Sequence, residues 1–381
     1  MRILFASTGG RGHALPLVPI ARAAQAAGHT LAFASPPSIV SFVEALGFNA
    51  FPIGPGGPPP ERRPLRPVDL KREEREFREG FAERGARTRA TGVLELGSDW
   101  RPELVVSEET DFGSMIAAER LGVPRATVLV LAAGTFVRPG LVAEPLNEVR
   151  AEHGLPPDPE LAMVSGDLVL SPFPPSFRDP AFPLPAGALS FRPSEVHDRN
   201  GPPAGTPTVY FTLGTVFNLE CGDLFERVLG GLSELPVDVL ASLGPQRDPE
   251  ELGPLPDNIR VERFVPQSEI LARASAVVSH GGSGTVMGAL AHGLPQVVIP
   301  IGADQPPNAA RSEALGVARV LDPVTATPGA VREAVAAVLS DPAYRSAADV
   351  IKEEIAALPG PAQAVKLLER LAPGRTSGTR R

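Results

Sequence analysis

The sequence predicts an α/β protein of two doubly wound domains that face each other across a cleft. Short apolar runs of four or five residues alternate with helical patterns along most of the 381 residues, the signature of parallel strands covered by helices. The alternation stops near the middle at a stretch dense in proline and glycine, clearest at Gly201-Pro202-Pro203-Ala204-Gly205, and then restarts. Glycine-rich turns stand at strand ends in both halves, where open α/β sheets place their ligands.

In the first half, residues 3–6 read as a buried strand and 15–27 as a helix. Residues 30–34 and 38–46 repeat the pair, and 104–107, 114–121 and 127–131 continue it as strand, helix and strand. Residues 171–185 and 192–207 carry the shift in composition. The expected boundaries are an N-terminal domain at 1–195, a linker at 196–207 and a C-terminal domain at 208–360. In the second half, strands are expected at 208–212, 237–241, 259–262, 276–279 and 296–300. Helices are expected at 224–235, 286–292 and 309–315. Val331, Ala334, Val335, Val338 and Leu339 then form an apolar stripe at helical spacing. A last helix at 361–372 is expected to return to the N-terminal domain, and the tail 373–381 to be disordered.

Composition excludes several classes of function. A content of 43% hydrophobic and 21% charged residues is that of a soluble globular protein, and a net charge of -8 argues against a nucleic-acid partner. The dense charge run from Glu61 to Arg89 mixes ten basic with seven acidic residues, so it reads as a solvated helix or loop. A single cysteine, Cys221, rules out an internal disulfide and a cysteine-cluster metal site, which fits a reducing cytoplasm. The first apolar run is too short for a signal peptide, and no run approaches a membrane span.

The most informative motif is His280-Gly281-Gly282-Ser283-Gly284-Thr285. A strand that stops here and restarts as a helix leaves free N–H groups at a positive dipole end, a site for phosphate or diphosphate. Ser283 and Thr285 can add hydroxyl donors. The opening turn Thr8-Gly9-Gly10-Arg11-Gly12-His13 has Leu15 where a dinucleotide fingerprint needs its third glycine, so that reading fails. What the turn does deliver is His13 at the end of the first strand, where a neutral imidazole can act as general base. A carboxylate would orient and stabilise it. Glu108 is the first choice, with Glu109 and Asp111 as alternatives, and Asp111 equally suits a helix N-cap. In the second half Thr212-Leu213-Gly214-Thr215 offers hydroxyls at the cleft edge. Phe264-Val265-Pro266-Gln267 offers a rigid backbone to a planar base, and Asp304-Gln305 offers polar groups for sugar hydroxyls. Asp304 also suits an N-cap.

Read in order, these motifs resemble the donor site of family 1 glycosyltransferases with the GT-B fold, nearest the bacterial enzymes that glycosylate antibiotics. The similarity is most specific from Phe264 to Gly316 and loosest at 55–101 and 137–165. It implies inverting, metal-independent transfer from a nucleotide-diphosphate sugar to a small hydrophobic acceptor such as a polyketide or macrolide aglycone. His13 with Glu108 would be the base pair, and no cofactor is implied. His280, Gly282, Ser283, Gly284, Thr285 and Thr215 would hold the diphosphate, Val265 and Gln267 the base, and Asp304 and Gln305 the sugar. Gly12, Phe77, Phe81 and Asp111 would lie at the acceptor. The phenylalanines equally suit plain packing of their loop. Three departures stand out: Val265 replaces the tryptophan of the plant branch, Gly288 replaces its ribose-binding glutamate, and Glu108 stands where many relatives have aspartate. The missing ribose ligand favours a dTDP-sugar over a UDP-sugar. A non-catalytic partner of a transferase and a nucleotide-sugar epimerase are the competing readings, and the retained His13 and His280 weigh against the first. A homodimer is compatible with the chain, whose oligomeric state stays open.

Overall fold

A computed structural model describes residues 1–57, 61–193 and 205–371. It contains two parallel sheets. The first has seven strands: β1 (Arg2–Ala6), β2 (Thr30–Ser35), β3 (Ala50–Pro52), β4 (Leu104–Glu108), β5 (Arg125–Val128), β6 (Leu168–Ser171) and β7 (Leu189–Ser190). Their spatial order is β3-β2-β1-β4-β5-β6-β7. The second holds β8 (Thr208–Thr212), β9 (Asp238–Ser242), β10 (Ile259–Glu262), β11 (Ala276–Ser279), β12 (Gln296–Val298) and β13 (Ala318–Val320), ordered β10-β9-β8-β11-β12-β13. The order reverses between β1 and β4 in one sheet and between β8 and β11 in the other. At such a reversal the loops diverge to opposite faces and leave a crevice.

The central strands are buried on both faces, which is why they read as unbroken apolar runs: Ile3, Leu4, Phe5 and Ala6 are all fully buried. Register fixes the site. Ala6 pairs with Ser107 and Thr212 pairs with Ser279, so the residues just past each pair emerge side by side.

Several boundaries differ from the sequence expectation. The strand expected to 131 ends at Val128: the Leu129 N–H still reaches the Leu170 carbonyl, but those of Val130 and Leu131 turn to a side chain (below). The helices expected from 286 and 309 start at Ser283 and Gln305, immediately after their glycine turn and Asp304. The charge-rich stretch is ordered as Leu70–Phe77, a π-helical turn Arg78–Gly85, and Ala86–Trp100. Residues 171–185 are not linker: Phe173 and Phe177 are buried against Val286, Met287, Leu290 and Ile351 of the second domain. Of the expected linker, residues 196–204 lie outside the described residues, as do residue 372 and the tail 373–381. The helix Pro361–Leu371 packs Ala364, Val365 and Leu368 into the first domain's core with Ile20, Ala24 and Phe33. Among the described residues no helix is long and apolar enough to cross a membrane.

Candidate active site

Chain direction and register bring His13 and Glu108 together. Gly10 breaks β1 from the helical turn Arg11–Ala14, which carries His13, while Glu108 is the last residue of β4. His13 Nδ1 lies 3.1 Å from Glu108 Oε1. The carboxylate also accepts the Thr8 N–H at 3.2 Å, the Thr110 N–H at 2.7 Å and the Thr110 hydroxyl at 2.9 Å. With Nδ1–H donated to Glu108, Nε2 keeps the lone pair. Burial works against protonation of the ring, but the charge and hydrogen bond of Glu108, helped by the charges of Asp304 and Glu109, outweigh it and raise the His13 pKa above its ordinary value. Gly9 makes room: a Cβ there would stand 2.6 Å from His13 Cδ2. Phe81 stacks on the imidazole at 5.7 Å, and Phe77 stacks on both Phe81 (5.0 Å) and Phe136 (5.1 Å). The π-helical turn, whose widened backbone lets Gly85 pack against the Gly80 carbonyl, presents Phe81 at the ring.

The two alternative carboxylates have other tasks. Asp111 is buried, caps the helix Phe112–Leu121 through the Ser114 N–H, and receives Arg89 through two bonds of 2.8 and 2.6 Å. It does not line the cavity, so the acceptor role considered for it has no geometric support. Removing Arg89 would strand a buried charge, a loss of about 3–5 kcal/mol. Glu109 is buried and accepts the Val130 and Leu131 N–H groups, each at 2.5 Å. Burial pushes its pKa up to about 7 and the Glu108 charge adds to that, while Arg178 and the two backbone donors pull it down.

The second domain presents a different histidine. His280 follows β11 and is buried; Nδ1 has no hydrogen-bonded partner among the described residues. Burial drives its pKa down to about 4, with only the Thr212 backbone acting the other way. It is therefore neutral at pH 7. Gly214, at φ +76°, and Gly282 flank it: a Cβ on either would stand 2.6 or 2.7 Å from His280 Nε2. The helix Ser283–Ala291 starts beside it, and the N–H groups of Ser283 and Gly284 have no acceptor among the described residues. Thr285 Oγ1 accepts from Gln267 Nε2 at 3.1 Å, tying the loop of Val265 to the turn. Thr215 is exposed at the end of β8, Gly12 is exposed beside His13, and Val265 is half-buried behind the exposed Phe264.

Some expected ligands are turned inward. Gln305 is buried and its Oε1 accepts the Ile301 and Gly302 N–H groups at 2.7 and 3.2 Å. Ser283 Oγ donates to Asp304 Oδ2 at 2.7 Å and accepts the Ala132 N–H at 3.0 Å. Asp304 itself lines a cavity of about 370 Å³ together with His13, Phe77, Phe81, Leu131 and Phe136. Thr110 and Asn308 fall inside motifs that the sequence marks but receive no role there, and Phe136 carries no mark at all. Thr110 sits two residues past Glu108, the spacing at which a threonine folds back on a carboxylate, and that signal could have found it.

Comparison with known proteins bears on the family and the fold. A family profile described as the erythromycin biosynthesis protein CIII-like C-terminal domain matches residues 226–371. The 4'-demethylrebeccamycin synthase of Lentzea aerocolonigenes is 31% identical over 97% of this chain and 99% of its own. This chain belongs to the bacterial natural-product glycosyltransferases of family 1. The tylactone mycaminosyltransferase of Streptomyces fradiae is 30% identical, covering 100% of this chain and 94% of that protein. Among solved structures, the glycosyltransferase VinC in complex with dTDP superposes with a TM-score of 0.75 at 26% identity, over 98% of this chain and 99% of the other. The two-sheet architecture is thus the GT-B fold, and the glycosyltransferase is an enzyme whose two switch-point crevices face one cleft.

Proposed function

We propose that this glycosyltransferase moves a sugar from a dTDP-sugar to a hydroxyl of a small hydrophobic natural-product aglycone, with inversion and without a metal. One observation carries the reading: the His13 base and the Asp304 carboxylate, one from each domain, line the same cavity. The acceptor hydroxyl gives its proton to His13 Nε2 as its oxygen attacks the anomeric carbon. The bond from that carbon to the diphosphate oxygen breaks on the opposite face, and dTDP takes the electron pair. Glu108 stabilises the imidazolium that forms. The N–H groups of Ser283 and Gly284, the helix dipole and His280 Nε2–H meet the charge on the departing diphosphate. Thr215 and Thr285 add hydroxyls there, and the backbone around Val265, held by Gln267, meets the base.

Asp304 grips the donor sugar through Oδ1, and Gln305 shapes the loop that presents it. Phe77, Phe81 and Phe136 give the acceptor an apolar wall beside the base. The relative solved with dTDP supports the choice of nucleotide. So does Gly288, which places no carboxylate near Gln267 for a ribose hydroxyl. Thermal shift with dTDP and UDP side by side tests it. The expected result is a larger rise in Tm with dTDP; an equal or larger rise with UDP overturns the donor assignment.

A further inference from the structure

Asn308 is fully buried at the first turns of the helix Gln305–Ala314, and all its polar atoms are engaged. Its Oδ1 accepts the Ala133 N–H at 3.1 Å. Its Nδ2 lies 2.9 Å from Asp304 Oδ2, 3.0 Å from the Gly281 carbonyl and 3.1 Å from Ser283 Oγ. Ser283 Oγ in turn takes the Ala132 N–H and donates to the same oxygen of Asp304. Two side chains of the donor domain therefore hold consecutive backbone N–H groups of the acceptor domain, and both also hold Asp304.

The chain of contacts continues on the acceptor side. The N–H groups of Val130 and Leu131, just before Ala132, are fixed by Glu109, which follows Glu108 directly. Arg178 Nη1 closes the loop by donating to the Leu131 carbonyl at 2.8 Å. From base to sugar ligand the order is His13, Glu108, Glu109, residues 130–133, Asn308 with Ser283, and Asp304. Every member from Glu108 to Asn308 is buried, so water does not compete for these bonds.

We infer that Asn308 is a positioning residue: it pins the register of the donor domain on the acceptor domain and thereby sets where Asp304 stands relative to His13. This inference rests on the reading of Asp304 as the donor-sugar ligand. Packing alone does not require such a device here, since Leu129, Ala132, Phe173 and Phe177 already meet Val286, Met287 and Ile351 across the same interface. Apolar contacts of that kind tolerate small slides, whereas directional bonds to two successive N–H groups do not.

The test uses full-length protein with spin labels on the exposed positions 95 and 333, as Glu95→Cys and Glu333→Cys, where native Cys221 is buried. In Asn308→Ala the interdomain distance distribution measured by electron-electron dipolar spectroscopy should widen about twofold, with the Kd for dTDP within about threefold of the parent. In the unlabelled chain kcat for sugar transfer should fall about 100-fold with donor KM nearly unchanged, the mark of lost orientation. An unchanged distribution, or a parallel loss of dTDP binding and kcat, overturns the inference. If Asn308→Ala does not fold, Asn308→Ser replaces it in the same measurements, with the same results supporting or overturning the inference. Failure of the underlying reading looks different: Asp304→Ala would leave donor KM at the parent value while the Asn308 distribution still widened.

Discussion

Two histidines stand beside the two switch points, His13 on the helical turn that follows β1 and His280 directly after β11, yet their surroundings push their pKa values in opposite directions. His13 sits on a carboxylate already held by the Thr8 and Thr110 donors, and its pKa is raised. His280 is buried without a carboxylate, its Nδ1 has no partner among the described residues, and its pKa falls to about 4. Glycines press close to both rings, so neither ring can swing toward its backbone turn. The lesson is that a histidine beside a switch point serves as a base or as a neutral donor according to whether a buried carboxylate stands within hydrogen-bond reach of its ring. The acceptor side holds its base on a carboxylate that is itself hydrogen-bonded; the donor side holds N–H groups ready for an anion.

The comparison is broken most severely at the base. His13→Ala should lower kcat/KM about 1000-fold while the Kd for dTDP stays near the parent value, since general-base catalysis contributes on the order of 100- to 10,000-fold. Turnover near the parent rate would mean that another group takes the proton. Replacing the carboxylate is the next largest change. Glu108→Gln should cost about 100-fold in kcat. It should also move the acid limb of the pH profile to lower pH: the base works when neutral, Glu108 is what raises the His13 pKa against the opposing effect of burial, and without its charge the ring loses its proton at lower pH. A limb that stays in place would separate the carboxylate from the base.

On the donor side, Gly282→Ala drives a Cβ against His280 Nε2 and should weaken dTDP about tenfold by calorimetry, with the pH profile unmoved. The smallest change sharpens the stacking contribution. Phe81→Leu removes the ring that lies on His13, worth about 0.5–1.5 kcal/mol, and should raise acceptor KM severalfold more than it affects donor KM. Equal effects on both would reduce Phe81 to packing.

Much of this is legible in the sequence, and the reasons are physical. Strands buried on both faces leave unbroken apolar runs, and glycine turns mark where strands end, so the central strands of both sheets and the placements of His13 and His280 can be read directly. By contrast β3, β6, β7 and β13, of two to four residues each, are not among the expected strands. What cannot be read depends on which polar atom answers which. Glu108, Glu109 and Asp111 are neighbours of like chemistry, yet one holds the base, one holds the backbone of 130–131 and one neutralises Arg89; only the fold separates them. Gln305 reads as a sugar ligand because it follows Asp304, but its side chain is needed for two N–H groups left by the turn at 301–302. The strand that stops early at Val128 has no sequence mark, since the cause is a carboxylate about twenty positions upstream.

A crystal structure of the full chain with dTDP tests the central claim most directly. The account predicts diphosphate oxygens within hydrogen-bond reach of the Ser283 and Gly284 N–H groups and of His280 Nε2, with His13 facing the point where the sugar would begin. A diphosphate held instead by Arg63, Arg66 and Arg72, which line the cavity, with the turn at 282–285 left empty, would contradict it.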